Sequence, residues 1–157
     1  MVDRVVDLLA HRGPTVGVVV DATVGAAGHA AALLAASGPA TFLVGFDRDP
    51  DALALAGRRL AAYGDRVQLV HAGYEELTDH VAPVAARVGP VTGVLYDLGV
   101  SSVQLDRPER GFSFRVEAPL DMRMDPSSPR TAAELVNDTP LGELSDVIRR
   151  YGEERYA

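Results

Sequence analysis

Cysteine is absent from the 157 residues, which excludes disulfides, thiolate metal sites and cysteine nucleophiles. No metal site is predicted from what remains. Lysine is absent too: all 15 basic residues are arginine, and with alanine so abundant this reads as the codon usage of a GC-rich genome rather than as phosphate recognition. Long apolar runs are also missing. Val16 to Val20 and Ala30 to Ala36 fall far short of the roughly 20 residues that a bilayer-spanning helix needs. The N-terminus mixes acids with apolar residues where a secretory signal would carry a basic and then an apolar stretch. Cytoplasmic residence with no membrane partner is therefore expected. Positive charge is scarce: the net charge of −7 argues against a sequence-blind electrostatic grip on nucleic acid. Any RNA must then be held by a local patch or by another part of the protein.

What is present is the composition of a globular domain, 47% apolar and 24% charged, at a length that buries one core. Val2, Val5, Val6, Leu8 and Leu9 recur at helical spacing until Gly13-Pro14 stops the pattern. A β-branched run from Val16 to Val20 ends at Asp21, a glycine turn spans Gly25 to His29, and an alanine-leucine helix follows to Ala36. The pattern repeats with a strand from Thr41 to Phe46 closed by Asp47, then an amphipathic helix from Pro50 to Tyr63 capped by Gly64. A third strand is predicted over Arg66 to His71, a helix interrupted by Pro83 over Glu75 to Arg87, and a fourth strand over Val91 to Leu98. This alternation predicts an α/β fold, a parallel sheet covered on both faces.

From Ser101 to Pro129 periodicity vanishes in a stretch too long for an ordinary connection. Leu105, Phe112, Phe114, Leu120, Met122 and Met124 are its expected anchors. Thr131 with Glu134 fits a capping box, and a helical pattern runs on through Leu144, Val147, Ile148 and Tyr151.

In open α/β sheets ligands sit beyond the carboxyl ends of the strands, where a glycine turn lets backbone approach closely and an acid on the next strand meets a ribose. Asp47 lies 22 residues after Gly25, and its two oxygens suit a pair of ribose hydroxyls. A dinucleotide would use the same architecture, but Gly25-Ala26-Ala27-Gly28 lacks the G-x-G-x-x-G spacing of that class. S-adenosylmethionine, with a sulfonium and an ammonium, favours nearby acids such as Asp21. Asp21 reads equally as a strand-end acid capping the turn. His29 reads as a helix-start residue or a pocket lining, and Tyr74 as a packing group or a platform for adenine.

Tyr96-Asp97-Leu98-Gly99-Val100-Ser101-Ser102-Val103-Gln104-Leu105-Asp106, then Pro108 to Phe114 and Pro119 to Asp125, give the chain its resemblance. It resembles the 16S rRNA (cytosine(1402)-N(4))-methyltransferase family, known as MraW or RsmH. DATVGAAGH, GFDRDPDAL and TAAELVN through YGEER are similar to the same family in the same order, so the likeness runs from Met1 to Ala157. The resemblance implies transfer of a methyl group from S-adenosylmethionine to a cytosine N4 of 16S rRNA in the small ribosomal subunit. It implies cofactor contacts at Ala27, Gly28, His29, Asp47, Tyr74, Asp97 and Gln104. The chemistry of an exocyclic amine gives Asp97 a second reading, in which it orients the acceptor amine with the backbone carbonyls of Leu98 or Gly99; Asp97 reads equally as a cofactor contact alone. Ala26 and Ala27 depart from a family turn richer in glycine, Tyr96 stands where leucine is usual, and Val103 where proline is usual. The family's Rossmann-like methyltransferase fold has seven strands. The chain therefore looks like its first half: a partial methyltransferase domain over 1–105, a substrate and active-site loop over 106–130, and the start of a helical insertion over 131–157. Poor stability of the isolated chain is expected. The competing readings are an inactive cofactor-binding remnant and half of a dinucleotide-binding oxidoreductase.

Overall fold

The computed structural model describes residues 1–11 and 16–157. The predicted helix stop at Gly13-Pro14 lies outside them. The chain forms two compact units, Met1–Ser101 and Ser102–Ala157.

The first unit opens with α1 (Val2–Val6), continued as a wider π turn over Asp7–His11. There follow β1 (Gly17–Asp21), α2 (Gly28–Ala36), β2 (Thr41–Asp47), α3 (Pro50–Leu60), β3 (Val67–His71), α4 (Leu77–Val88) and β4 (Val91–Leu95). The four strands form one parallel sheet in the order β3-β2-β1-β4. Because β1 and β2 are central, their apolar runs are buried on both faces. Val18, Val20, Phe42, Val44 and Phe46 pack with Val81 and Val84 of α4. Leu43 packs on the opposite face with Ala30 and Leu34 of α2 and Ala56 and Leu60 of α3. Val91 and Val94 of β4 stay exposed, since among the described residues that strand pairs with β1 alone. No helix among the described residues is long and apolar enough to cross a membrane.

Three expected elements differ in detail. The fourth strand ends at Leu95 instead of Leu98, because β1 ends at Asp21 and the Asp97 N–H leaves the ladder to donate to Thr23 Oγ1 at 2.8 Å. α4 is not interrupted by Pro83: the proline sits on the exposed face, while Val81 and Val84 hold the helix to the sheet. Solvent can then serve the Asp79 carbonyl that a proline at that position cannot bond. α3 ends at Leu60, three residues short of Tyr63, and tightens into a 3-10 turn containing Gly64 at φ 54°. The N-terminus of α3 is capped by Asp49, whose buried carboxylate accepts from the Asp51 N–H at 3.0 Å, with Pro50 in the first turn.

The second unit holds α5 (Ser102–Leu105), a 3-10 turn at Pro108–Arg110, α6 (Ala132–Asp138) and α7 (Leu141–Tyr151). The capping box forms as expected, with Glu134 N–H on Thr131 Oγ1 at 3.2 Å and Thr131 N–H on Glu134 Oε2 at 2.8 Å. The expected continuous helix is two helices, broken where Pro140 cannot continue α6. Of the six apolar anchors expected for the long loop, Phe112 is half-buried and the other five are exposed. Phe114 is 100% exposed, and Leu105, Leu120, Met122 and Met124 are exposed as well. Polar groups brace it instead. Buried Arg110 donates to the carbonyls of Arg123 (3.0 Å) and Met124 (2.8 Å), and Arg123 forks onto both oxygens of Asp121 at 2.8 Å. That bidentate arginine lowers the Asp121 carboxyl to about 2.

Candidate functional site

The site of the first unit is built at the carboxyl ends of β1, β2 and β4. β1 delivers Asp21, whose side chain is 1% exposed and accepts from the Thr23 N–H at 3.2 Å. The chain then turns across the sheet end. Ala22 N–H bonds the Leu95 carbonyl at 2.9 Å and Val24 N–H the Phe46 carbonyl at 2.8 Å, so the turn is tied to β4 and to β2. Gly25, at φ 52°, occupies the left-handed region that favours glycine, and its N–H donates to Asp47 Oδ2 at 2.8 Å. Ala27 caps α2 in the same left-handed region, φ 61° and ψ 35°, although it carries a side chain and is fully buried. That conformation costs an alanine roughly 1 kcal/mol, which the surrounding packing supports.

Asp47 has a structural duty that its spacing did not reveal. Its Oδ2 takes the Gly25 N–H and its Oδ1 the Asp49 N–H at 2.9 Å, so the carboxylate fastens the glycine turn to the end of β2. Each oxygen keeps a second acceptor position. Asp97, two residues past β4, is held by its backbone on Thr23 Oγ1, and its Oδ2 lies 3.5 Å from His29 Nδ1. The opposite ring nitrogen of His29, Nε2, is buried and has no partner among the described residues. Burial raises the Asp21 carboxyl to about 6 despite the Thr23 N–H, and the nearby charges of Asp97 and Asp47 push the same way.

Tyr74, after β3, meets Tyr96, after β4, edge to face at 5.8 Å, and the Arg48 guanidinium lies 5.9 Å from the Tyr74 ring centre. Arg48 also pairs with Glu75. Asp21, His29, Asp47 and Asp97 thus converge on one turn, and Tyr74 stands half exposed in an aromatic pair. Gln104 belongs to the second unit, buried on α5. Thr23, Tyr96 and Arg48 were not legible as site residues. Their roles depend on contacts 22 to 74 positions away in the chain.

A parallel α/β sheet with acids at three strand ends around a short glycine turn is the Rossmann-like fold of S-adenosylmethionine-dependent methyltransferases. A structure solved for a candidate rRNA methylase of Clostridium thermocellum matches with a TM-score of 0.50 at 26% identity, covering 63% of this chain and 49% of its own. The chain belongs to the MraW methylase family, whose model matches residues 1–157. Among its relatives, the ribosomal RNA small subunit methyltransferase H of Saccharopolyspora erythraea is 54% identical over 160 residues, covering 100% of this chain and 47% of the relative. That of Citrifermentans bemidjiense is 50% identical over 155 residues, covering 99% and 48%. The chain spans about half the length of the curated relatives it matches.

The methyl donor of this class is S-adenosylmethionine, and the residues present fit it. Its two cationic centres suit the acid-lined turn, where burial first, and the charges of Asp97 and Asp47 after it, disfavour the ionised form of Asp21. The free acceptor positions on Asp47 suit vicinal hydroxyls. An added Cβ on Gly25 would meet only the Thr23 carbonyl, at 3.9 Å, so the turn is open on that side.

Proposed function

We propose that this chain serves in S-adenosylmethionine-dependent methylation of a cytosine N4 in 16S rRNA, as part of an rRNA (cytosine-N4-)-methyltransferase acting on the small ribosomal subunit. One observation carries the reading: the acids ending β1 and β2 and the acid two residues past β4 gather on a single glycine turn, Asp47 through the Gly25 N–H and Asp97 through Thr23. S-adenosylmethionine supplies a methyl group made electrophilic by its sulfonium. Asp21 offsets positive charge in the turn, Ala27, Gly28 and His29 shape its wall, and Asp47 accepts from the ribose hydroxyls. Tyr74 offers a ring face to adenine.

Asp97 acts on the acceptor. The lone pair of an exocyclic N4 is delocalised into the pyrimidine ring, so attack requires an acceptor that binds an amine N–H and lets the nitrogen pyramidalise. The Asp97 carboxylate is 44% exposed, and its Oδ1 has no partner among the described residues. It is suited to accept that N–H, and then the proton which the amine sheds on methylation. Proximity and alignment supply most of the rate.

Calorimetric titration with S-adenosylhomocysteine and with NAD tests the cofactor, and mass spectrometry of 16S rRNA incubated with labelled S-adenosylmethionine tests the acceptor. Binding of the thioether but not NAD is expected, with the label on one cytosine N4. Tyr74→Ala should weaken the thioether roughly tenfold and Tyr74→Phe should not, because stacking on a base is worth about 1–3 kcal/mol. Binding of NAD alone would overturn the reading.

A further inference from the structure

We propose that His29 is a positioning residue for Asp97: its Nδ1–H holds one carboxylate oxygen and leaves the other turned to the acceptor amine. The inference rests on the role proposed above for Asp97 and adds to it the group that aims the carboxylate.

Four observations converge. His29 Nδ1 is 3.5 Å from Asp97 Oδ2, with the imidazole only 16% exposed. That separation exceeds an ordinary hydrogen bond, and such contacts commonly tighten once the acceptor engages. Nε2 is buried without a partner among the described residues. Nε2 is unsatisfied in either neutral tautomer, so Nδ1 decides between them: protonated, it aims a donor at the carboxylate, whereas unprotonated it sets a lone pair against that carboxylate. The Asp97 backbone is pinned by its own N–H on Thr23 Oγ1 at 2.8 Å, so the remaining freedom lies in its side-chain torsions, where the imidazole acts. Finally, His29 is the second residue of α2, two residues after the left-handed N-cap Ala27, which fixes where its ring emerges.

The arrangement separates positioning from cofactor binding. One ring nitrogen faces Asp97 and the other is enclosed, so the imidazole acts through Asp97, and the share of His29 in the wall of the turn falls to its backbone, which a side-chain replacement leaves in place.

Long-range proton-nitrogen NMR of this chain, labelled at histidine, reads the tautomer directly. The Nδ1–H form is expected for His29, moving toward Nε2–H in Asp97→Ala. An Nε2–H tautomer in the unmodified chain would overturn the proposal whatever the activity. The second arm compares single-turnover methylation of small ribosomal subunits with affinity for S-adenosylhomocysteine. His29→Ala should slow turnover roughly tenfold or more, the scale on which an orienting partner acts, with affinity changed less than about twofold. His29→Asn, whose amide nitrogen overlays Nδ1, should restore most of the rate, and His29→Gln, whose amide nitrogen overlays Nε2, should not. In Asp97→Asn the further change His29→Ala should add little, since both act on one contact. Parallel losses of affinity and rate in His29→Ala would make it a cofactor contact and refute positioning. Normal turnover in Asp97→Asn would refute the role of Asp97 itself, whereas slow Asp97→Asn with normal His29→Ala would refute this inference alone.

Discussion

Replacing Asp21 by asparagine removes a charge that the fold carries at a loss. The side chain is 1% exposed, and its carboxyl is raised from an ordinary 3.8 to about 6, first by burial and then by Asp97 and Asp47. At about 1.4 kcal/mol per pH unit, the interval from 3.8 to about 6 corresponds to about 3 kcal/mol of destabilisation once the group is ionised. Between those values the folded chain binds the proton more tightly than the unfolded chain. Wild-type stability should therefore fall as pH rises through the window from 3.8 to about 6, and stay low above it. Asp21→Asn keeps an oxygen for the Thr23 N–H and loses the titration. Urea unfolding of both proteins in steps from about pH 4 to about pH 8 reads the difference, which should widen with pH in favour of the variant and level off near 3 kcal/mol. Affinity for S-adenosylmethionine should drop in the same variant. A stability gap that is constant across the range, or one that favours wild type as pH rises, would refute the assignment of a strained acid to this position.

Asp47→Asn puts an amide N–H2 where one of two backbone donors now finds an oxygen, so the Gly25 or the Asp49 N–H loses its acceptor. A loss of about 1–3 kcal/mol on denaturation is expected, beside weaker S-adenosylhomocysteine binding. Unchanged stability would show that the glycine turn does not depend on this carboxylate. Gly111→Ala meets two obstacles in the second unit: φ is 72°, and the new Cβ would lie 2.4 Å from the Pro119 carbonyl oxygen and 2.6 Å from the Asp121 nitrogen. Because both neighbours are backbone, the loop must shift. Amide exchange over residues 110–124 should rise by at least tenfold, corresponding to about 1.4 kcal/mol of local stability, and exchange unchanged there would refute the brace.

The sheet was legible because β1 is a run of valines and β2 a run of apolar residues rich in phenylalanine, and each ends in an aspartate followed by turn or helix-start residues. The cap at α3 was half legible: Asp47, Asp49 and Asp51 all lie within reach of the helix start, and which one caps depends on backbone angles that periodicity does not encode. In the long loop the apolar residues mislead. Exposed methionines and Phe114 read as anchors because apolar residues usually are, whereas the holding groups are Arg110, Asp121 and Arg123, whose types on a surface loop predict solvation. A buried arginine bonding two carbonyls leaves no periodic trace.

The site shows the same division at closer range. Asp47 was legible as an acid at the right distance from Gly25, but the spacing that predicts a ribose contact also lets the side chain receive the Gly25 N–H. Binding residue and structural fastener are here one carboxylate, so its replacement tests both at once. Asp97 differs. Its backbone is fastened by Thr23, its Oδ2 faces His29, and its Oδ1 is left over. An acid pinned at its backbone, with one carboxylate oxygen 3.5 Å from His29 and the other open, has been placed by the fold without being consumed by it, and of the acids on the turn it is the one whose replacement should slow chemistry more than it unsettles the sheet.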